Sequence, residues 1–391
     1  MKILAVHNSY RQPGGEDAVF ADEVRLLREH GHKVIEYLDT NKRIDALGPA
    51  RSATGAVWSR EAYQRIQQLI REQQPDAAHF HGTFLVISPS AYFACKQLGL
   101  PVVQTLHNYR LMCPAATLFR TGAPCEDCMG KLLPWPAVQH ACYRHSRPQS
   151  AVVAAMLAIH RGLRTWQERV DLYVALTEFS RAKFIESGIG PEKIVVKPNF
   201  VFDVPKQASP AEQGSYVLYA GRLSIEKGLL TALRAWEGLP DVPLVIAGDG
   251  PLRGAVTAFV DAHPQVSYVG LIAPAAARDL IKNARFLILP SLWYEVFPRV
   301  IVESFSGSRA VVTFRIGVMR ELVRDGETGL LAEPGSAESL AGRVRWLWGN
   351  PELTGLLGRN ARREYEQKYT SEQNYRLLMQ IYSQAVGGRL P

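Results

Sequence analysis

Two basic side chains lie five positions apart in the segment Gly221-Arg222-Leu223-Ser224-Ile225-Glu226-Lys227-Gly228. The segment follows a predicted strand, and open α/β sheets bind ligands in the loops at the carboxyl ends of their strands. An arginine offers a fork of N–H donors and a lysine a point charge, so the pair suits phosphate oxygens. A solvated basic loop is the alternative, although cations at a helix start oppose the helix dipole.

Two carboxylates, Glu295 and Glu303, stand eight positions apart further along the chain. The first follows a predicted strand and the second lies inside the next predicted helix, so the two could hold different hydroxyl-bearing parts of one ligand. The backbone amides of Arg299, Val300 and Ile301 begin that helix and could bind a diphosphate between them. A surface glutamate beside an ordinary helical one is the alternative.

The N-terminal half has two weaker candidates. Pro13-Gly14-Gly15-Glu16-Asp17 follows the first predicted strand, and amides at a glycine turn before a helix suit phosphate. A plain strand–helix turn, with two acids complementing the helix dipole, explains the segment equally well. His107 ends a buried strand and could be structural or functional.

Four of the five cysteines cluster in one proline-rich stretch, with the spacing Cys113-x11-Cys125-x2-Cys128-x13-Cys142. This pattern predicts a closed four-thiolate zinc site of structural rather than catalytic type. His140 or His145 could replace one ligand. Buried thiols without metal, or a redox pair formed by the two central cysteines, remain as alternatives.

Strand-like and helix-like runs alternate on both sides of this stretch, which predicts parallel sheets with right-handed crossovers. The predicted strands are 2–7, 33–38, 77–80, 101–106, 172–176, 193–197, 216–220, 244–247, 266–269, 286–289 and 310–313. The predicted helices are 16–30, 61–72, 89–98, 151–166, 181–186, 229–236, 252–262, 275–283, 300–305 and 340–348.

This alternation predicts two doubly wound α/β domains, and 391 residues are enough for two cores. The first is a Rossmann-like domain over 1–202 with a cysteine-rich insertion at 108–150. A stretch of linker composition covers 203–214, and a second Rossmann-like domain covers 215–370. A last helix, over 371–391, could cross back to the N-terminal domain.

Taken in order, four segments resemble the retaining glycosyltransferases of family four. They are Gly-Arg-Leu-x-x-x-Lys-Gly at 221–228, Ala-Gly-Asp-Gly-Pro-Leu at 247–252, the Glu-x7-Glu pair, and Gly-Glu-Thr-Gly-Leu-Leu at 326–331. The resemblance covers nearly the whole chain. The N-terminal half, with its glycine segment and Leu-His-Asn-Tyr-Arg at 106–110, is similar to a bacterial branch that works on surface polysaccharides.

The resemblance implies the GT-B fold, in which an acceptor-binding N-terminal domain and a donor-binding C-terminal domain face each other across a cleft. The donor would be a nucleoside-diphosphate sugar and the acceptor a glycan or a lipid-linked sugar. No catalytic cofactor is implied. Front-face attack, assisted by the leaving diphosphate, would transfer the sugar with retention.

The resemblance also implies roles for individual residues. Arg222 and Lys227 would neutralise the donor diphosphate, Glu303 would bind the ribose hydroxyls, and Glu295 would contact the donor sugar. In the N-terminal half, Gly14 and Gly15 would close over the phosphates. His107 would lie near the anomeric carbon.

Two positions depart from the family pattern. Ser308-Arg309-Ala310 stands where Gly-x-Pro is frequent, and Gly317-Val318 stands where Gly-Gly is frequent. Val318 would place a side chain where backbone approaches closely or needs a positive φ. A catalytically weak or inactive sugar-nucleotide-binding protein of the same fold is therefore the alternative function. An NAD-dependent dehydrogenase is disfavoured, since no good Gly-x-Gly-x-x-Gly is present.

The formal charge of +8 includes no block of five or more lysines and arginines, so we do not expect nucleic acid as a partner. An anionic substrate or an anionic membrane surface fits better. The run 151–159, followed by Arg161, Arg164 and Arg169, could dock on such a membrane, although a core helix with a polar end is the more frequent meaning. With no signal-peptide pattern and no apolar run of about 18 residues, we expect a cytoplasmic protein, with peripheral contact at the inner face of the membrane left open.

Overall fold

The computed structural model of the chain describes residues 1–10, 14–203 and 210–387. The chain forms two compact units. The N-terminal unit comprises Met1–Leu118, Glu126–Asn199 and the chain from Asn374 onward, and the C-terminal unit comprises Phe119–Cys125 and Phe200–Gln373. Pro13 of the glycine segment and positions 204–209 of the expected linker lie outside the described residues.

The described strands, in chain order, are β1 (Lys2–Ser9), β2 (Lys33–Thr40), β3 (Ala77–Phe80), β4 (Val102–Thr105), β5 (Phe119–Arg120), β6 (Ala123–Pro124), β7 (Leu172–Ala175), β8 (Ile194–Val196), β9 (Val217–Ala220), β10 (Leu244–Ala247), β11 (Val266–Gly270), β12 (Phe286–Leu289), β13 (Val311–Phe314) and β14 (Gly329–Ala332). The described helices are α1 (Gly15–Glu29), α2 (Ile44–Val57), α3 (Arg60–Gln73), α4 (Ser90–Gln97), α5 (Trp135–Gln139), α6 (Arg147–Gly162), α7 (Thr165–Glu168), α8 (Glu178–Glu186), α9 (Leu229–Glu237), α10 (Arg253–Ala262), α11 (Pro274–Asn283), α12 (Arg299–Ser306), α13 (Met319–Leu322), α14 (Ala337–Gly349), α15 (Pro351–Lys368) and α16 (Ser371–Ala385).

A six-stranded parallel sheet in the order β2-β1-β3-β4-β7-β8 forms the centre of the N-terminal unit. Three of the four inner strands, β3, β4 and β7, are buried throughout, as expected for parallel strands covered on both faces. The strand order reverses between β1 and β3, which are neighbours in the sheet but not consecutive in the chain. Such a switch point is where open α/β sheets leave a crevice for a ligand.

The C-terminal unit has the same arrangement. Its six parallel strands follow the order β11-β10-β9-β12-β13-β14, and the order reverses between β9 and β12. Both units are therefore Rossmann-like doubly wound sheets, which confirms the fold class predicted from the alternation of strands and helices.

The last helix, α16, belongs to the N-terminal unit and packs into its core. Leu378, Ile381 and Tyr382 are buried in one cluster with side chains of β1 and β4, such as Ile3 and Val103. The N-terminal core therefore includes a segment from the far end of the chain.

Among the helices that differ from the prediction, two show the physical reason. The helix expected at 151–166 begins at Arg147, because the Ser146 hydroxyl accepts a hydrogen bond from the Gln149 amide at 3.4 Å and caps the helix start. It ends at Gly162, and Arg164 adopts a positive φ of 51° before the short α7. The helix α2 was not predicted at all, since Gly48 and Pro49 interrupt its sequence and Gly48 has a non-helical φ of 73°.

No helix among the described residues is long and apolar enough to cross a bilayer.

Candidate functional site

Two glycine-containing loops pack backbone against backbone at the carboxyl ends of β9 and β10. A Cβ on Gly248 would lie 1.9 Å from the carbonyl oxygen of Gly221, and one on Gly250 would lie 2.5 Å from that of Leu223. Amide-to-carbonyl bonds also join the loops, from Gly221 to Ala247 and from Leu223 to Asp249, both at 3.0 Å. The close packing fixes the path of the loop that carries Arg222 and Lys227.

The same loop is tied to the strand on the other side of the switch point. Gly228 has a φ of 68°, and a Cβ there would lie 1.7 Å from the carbonyl oxygen of Pro290, just after β12. The Leu292 amide donates to the Glu226 carbonyl at 2.8 Å. The loops after β9 and β12 therefore form one assembly, at the position where this fold binds ligands.

A lysine and a glutamate meet in that assembly. Lys227 Nζ lies 2.5 Å from Oε1 of Glu295, and the Ser291 hydroxyl donates to the same oxygen at 2.8 Å. Glu295 is buried, whereas the Lys227 side chain keeps 20% of its surface exposed and lies 5.4 Å from the ring centre of Trp293. Glu295 thus holds the ammonium group in place while leaving it accessible.

The other candidates of this unit lie around the same loops. Arg222 is exposed, and the Tyr219 hydroxyl donates to its carbonyl oxygen at 3.0 Å. Glu303 is partly exposed on α12, with Oε1 3.9 Å from Nε of Arg299. Arg299 and Val300 are the first two residues of α12. The Ile301 amide, one residue further on, donates to the Pro298 carbonyl at 3.0 Å.

In the N-terminal unit, the glycine segment forms the start of α1 at the end of β1. The Gly14 amide donates to Oδ2 of Asp17 at 2.7 Å, and His7 Nε2 lies 2.9 Å from Oδ1 of the same carboxylate. Burial would raise the pKa of Asp17, but the hydrogen bonds from His7 and Gly14 lower it overall. Asp17 therefore stays charged and fixes the turn at Gly14 and Gly15, both of which are exposed.

Glu16 lies beside this turn in a buried polar group that the sequence did not reveal. Tyr10 donates its hydroxyl to Oε2 of Glu16 at 3.0 Å, and Asn108 Nδ2 lies 3.3 Å from the same oxygen. A Cβ on Gly82 would lie 2.5 Å from Oε1, so glycine at that position makes room for the carboxyl group. Burial is the main cause that raises the pKa of Glu16 to about 7.

His107 is half-buried at the end of β4 and is held by a second histidine. Its Nε2 lies 3.0 Å from Nδ1 of His81, and the two rings stack with centroids 5.1 Å apart. Burial and the neighbouring ring hold the pKa of His107 well below its ordinary value, and burial is also the main cause that lowers the pKa of His81 to about 4. Both rings are therefore neutral near pH 7.

Glu23 orients the pair of His81 and His107 through its contact with His81. Its Oε1 lies 3.2 Å from Nε2 of His81, and since a carboxylate offers no proton, the contact favours the His81 tautomer protonated on Nε2. Nδ1 of His81 then accepts from Nε2–H of His107, and Nδ1 of His107 is left as a hydrogen-bond acceptor.

The same carboxylate belongs to the one group of metal-ligand type that the described residues bring together, namely Glu23, His79 and His81. Lys197 Nζ already lies 2.9 Å from Oε2 of Glu23, and the Tyr382 hydroxyl lies 2.7 Å from Nδ1 of His79. Burial would raise the pKa of Glu23, but Lys197 and the two histidines hold it well below its ordinary value. With an ammonium in place, the group is a charge network and does not fit a metal ion.

The predicted zinc site is not formed. Across the ranges 1–10, 14–203 and 210–387, the side chains of Cys113, Cys125, Cys128 and Cys142 do not gather into a group of three or more metal ligands. Arginines organise this stretch instead. Arg110 binds the Pro114 carbonyl, and Arg161 binds those of Lys131 and Leu111. These bonds hold backbone carbonyls of the loop directly.

The two departures from the family pattern have structural explanations. Val318 is fully buried with an ordinary helical φ of −62°, and the positive φ falls on Gly317 instead. The expected strain at Val318 is therefore absent.

Arg309 is also buried, and its guanidinium donates to the carbonyls of Ile281 and Lys282 at the end of α11. Burial lowers the pKa of Arg309 to about 10.

Two family models match the chain. "Glycosyl transferase 4-like domain" covers residues 14–199, and "Glycosyl transferases group 1" covers residues 202–364. Together they match most of both Rossmann-like units, in the order expected from the motifs. The chain is therefore a glycosyltransferase of the type that combines these two domains.

Individual relatives agree with this assignment. This chain is 25% identical over 278 residues to the alpha-D-kanosaminyltransferase of Streptomyces kanamyceticus. The alignment covers 69% of this chain and 67% of that enzyme. It is 33% identical over 150 residues to the lipopolysaccharide 1,2-N-acetylglucosaminetransferase of Salmonella typhimurium, covering 34% of this chain and 39% of that enzyme.

A solved structure supports the fold. The glycosyltransferase resembles Anabaena HepE in complex with UDP-glucose with a TM-score of 0.69 and 19% identity, over 98% of this chain and all of that one. The likeness agrees with the GT-B fold.

Proposed function

We propose that this glycosyltransferase moves a hexose-type sugar from a nucleoside-diphosphate donor to an acceptor hydroxyl with retention, in the synthesis of a cell-surface polysaccharide or glycolipid. The observation that carries the proposal is the Lys227–Glu295 pair at the switch point of the C-terminal sheet. An accessible ammonium, held by a buried carboxylate, suits an anionic group that becomes more negative during the reaction.

In the proposed reaction the bond between the sugar anomeric carbon and the diphosphate oxygen breaks. The acceptor oxygen forms a new bond to that carbon on the same face, and its proton passes to the leaving diphosphate. Lys227 and the exposed Arg222 stabilise the charge that develops on the diphosphate. The amides at Arg299 and Val300 add the positive end of a helix dipole, and Glu303 binds the ribose hydroxyls.

We assign His107 the position beside the transferred carbon that the family resemblance implies. Being neutral and presenting Nδ1 as an acceptor, it suits a hydrogen bond from a sugar hydroxyl better than proton donation. Gly14 and Gly15 are assigned to the donor phosphates, which their exposed position at the start of α1 suits. The named activities of the two curated relatives, which both transfer sugars, support the overall reaction.

The first test is a thermal-shift panel of UDP-, GDP- and ADP-sugars. A donor at 100 times its dissociation constant should add about 2.7 kcal/mol to the free energy of unfolding. The anomeric configuration of the product, determined by NMR, then decides between retention and inversion. Stabilisation by a donor without any transfer or donor hydrolysis would favour a binding protein of this fold over an enzyme.

The second test replaces His107. His107→Ala should leave the dissociation constant of the nucleoside diphosphate within a few fold of the wild-type value, while sugar transfer falls by a hundredfold or more. If nucleotide binding is lost and the fold remains intact, the assignment of His107 to the sugar is wrong.

A further inference from the structure

One stretch of the N-terminal unit, residues 129–167, contains no aspartate or glutamate and five lysines and arginines. The chain has 37 acidic residues in 391, so a stretch of 39 residues would ordinarily contain between three and four. The five cations are Lys131, Arg144, Arg147, Arg161 and Arg164. The stretch includes α5 and α6. Its number of cations is ordinary for this chain, but because it has no acidic residue these cations are not offset within the stretch.

The same stretch exposes five large apolar side chains to solvent. Leu132, Leu133 and Trp135 are 64%, 48% and 53% exposed, and Ile159 and Leu163 are 46% and 51% exposed. Single exposed apolar residues are ordinary, but a concentration of them marks an interaction surface.

On α6 the exposed apolar residues form a continuous stripe. The stripe consists of four residues of α6 and the residue that caps its end, spaced three or four positions apart and all exposed: Pro148, Ala151, Ala155, Ile159 and Leu163. This spacing places them on one face of the helix, and none of them carries a charge. The opposite face, which includes Val153 and Leu157, is buried in the unit.

The turn before α5 is anchored to this helix. Arg161 donates to the carbonyls of Lys131 and Leu111, so the segment with Leu132, Leu133 and Trp135 is held beside α6. Lys131, which precedes Leu132 in the chain, and Arg144 and Arg147, at or just before the start of α6, are all exposed. Of the five cations, Arg164 is the one that forms an ion pair with a carboxylate, that of Glu168, among the described residues.

We propose that the face formed by the α6 stripe and the 131–135 turn docks this protein on an anionic lipid bilayer. The apolar side chains would enter the boundary between headgroups and acyl chains, and the exposed cations would contact lipid phosphates. The structure changes the set of cations expected from the sequence, since Arg161 is engaged with carbonyls and Arg169 lies over the ring of Phe93 at 5.1 Å.

Charge favours a bilayer over a second copy of the chain. A symmetric dimer through this face would bring the same cations of two copies together without any acidic residue of the stretch between them. For the proposed glycosyltransferase, docking would bring the enzyme to lipid-linked acceptors. This role rests on the proposed function, but the docking itself does not.

The experiment is flotation of the full-length protein with vesicles of phosphatidylcholine alone or of phosphatidylcholine mixed with phosphatidylglycerol. The wild type should float with the anionic vesicles, bind the neutral ones at least tenfold less, and dissociate at high salt. Arg144→Gln together with Arg147→Gln should weaken binding about 25-fold, since each cation near an anionic surface contributes about fivefold. Ile159→Ser together with Leu163→Ser should weaken it at least tenfold.

Matched controls lie in the C-terminal unit. Leu271→Ser removes an apolar side chain that is 80% exposed, and Arg234→Gln together with Arg363→Gln removes two exposed cations; both variants should bind as the wild type does. Equal losses in these controls, or equal binding to neutral vesicles, would overturn the proposal. Dimers of the wild type that the Ile159 and Leu163 substitutions dissociate would assign the face to a second copy instead.

Two further readouts separate this proposal from the proposed function. Donor hydrolysis and transfer to a water-soluble acceptor should be unchanged in the α6 variants, because their side chains lie outside the groups assigned to the reaction. A protein that floats as expected but transfers no sugar would disprove the proposed function and leave the docking surface intact.

Discussion

Arg222 is exposed and makes its contact to the rest of the unit through its backbone, so replacing its side chain tests chemistry rather than stability. Arg222→Ala should lower the turnover number by about a hundredfold, as expected when a group that stabilises developing charge is removed. Steady-state kinetics with the donor identified in the thermal-shift panel would measure the loss. Arg234→Ala, an exposed arginine on α9, is the matched control and should retain full activity.

Lys227→Ala should have two effects. Turnover should fall at least as far as in Arg222→Ala, and the free energy of unfolding should also fall by about 1–3 kcal/mol, since the buried Glu295 loses its ammonium partner. Urea denaturation measures the second effect. Unchanged stability together with normal turnover would mean that the pair has no part in either structure or catalysis.

Glu16 should make the stability of the protein depend on pH. Its folded pKa of about 7 is above the value of an unfolded glutamate, so the folded state holds the proton more tightly. Stability therefore falls as the pH rises from about 4.5 to 7, and Glu16→Gln should remove this fall, which amounts to at most about 3 kcal/mol. The difference between the melting curves of wild type and variant at pH 5 and pH 8 isolates the effect. A constant difference would show that Glu16 titrates normally.

At the scale of elements, the loops after β9 and β12 depend on one glycine. Gly228→Ala would place a Cβ against the Pro290 carbonyl at a positive φ, so the Lys227 loop must shift. We expect lower thermal stability and at least tenfold weaker nucleotide binding, measured by calorimetry. Gly221→Ala is the control in the same loop, because a Cβ there meets no atom within 4 Å. Equal effects of the two substitutions would contradict the packing described.

At the scale of the whole molecule, the N-terminal unit needs the end of the chain. Deleting residues 371–391 removes Leu378, Ile381 and Tyr382 from its core and takes the Asn374 side chain from Lys197. Burial of three large side chains contributes about 5 kcal/mol or more, so the N-terminal unit should unfold first. Hydrogen exchange should increase in β1 and β3 and remain unchanged in β9 and β12.

A milder variant separates packing from hydrogen bonding. Tyr382→Phe keeps the ring and removes only the hydroxyl that contacts His79, so it should cost about 1 kcal/mol. If the deletion is no more destabilising than this substitution, α16 is not part of the N-terminal core.

The sequence by itself determined the two Rossmann-like sheets and the order of the C-terminal motifs. Parallel strands buried on both faces appear as short apolar runs, such as Phe286–Leu289, whose limits were predicted as observed. Local spacing also placed Arg222, Lys227 and Glu295 at strand ends. Information of this kind is local, because periodicity and motif spacing depend on neighbours in the chain.

Only the tertiary structure decided which distant side chains meet. Glu16 lies on α1 and Asn108 follows β4, and nothing in their spacing reveals that the Asn108 side chain meets the Glu16 carboxyl group. The sequence contains only a weak signal for the pairing of His81 with His107. Histidines at 79 and 81 are two positions apart, which places both on one face of an extended segment but does not identify a partner.

The cysteines show the opposite case, a strong local pattern that the tertiary structure does not use. Their spacing satisfies the sequence rule for zinc, but ligation depends on where the side chains converge, and here arginine–carbonyl bonds organise the loop. The proposed docking surface also depends on the tertiary structure. The sequence supplied an apolar run and its arginines, but only the packing of α6 determined which of those side chains are buried and which remain exposed to solvent.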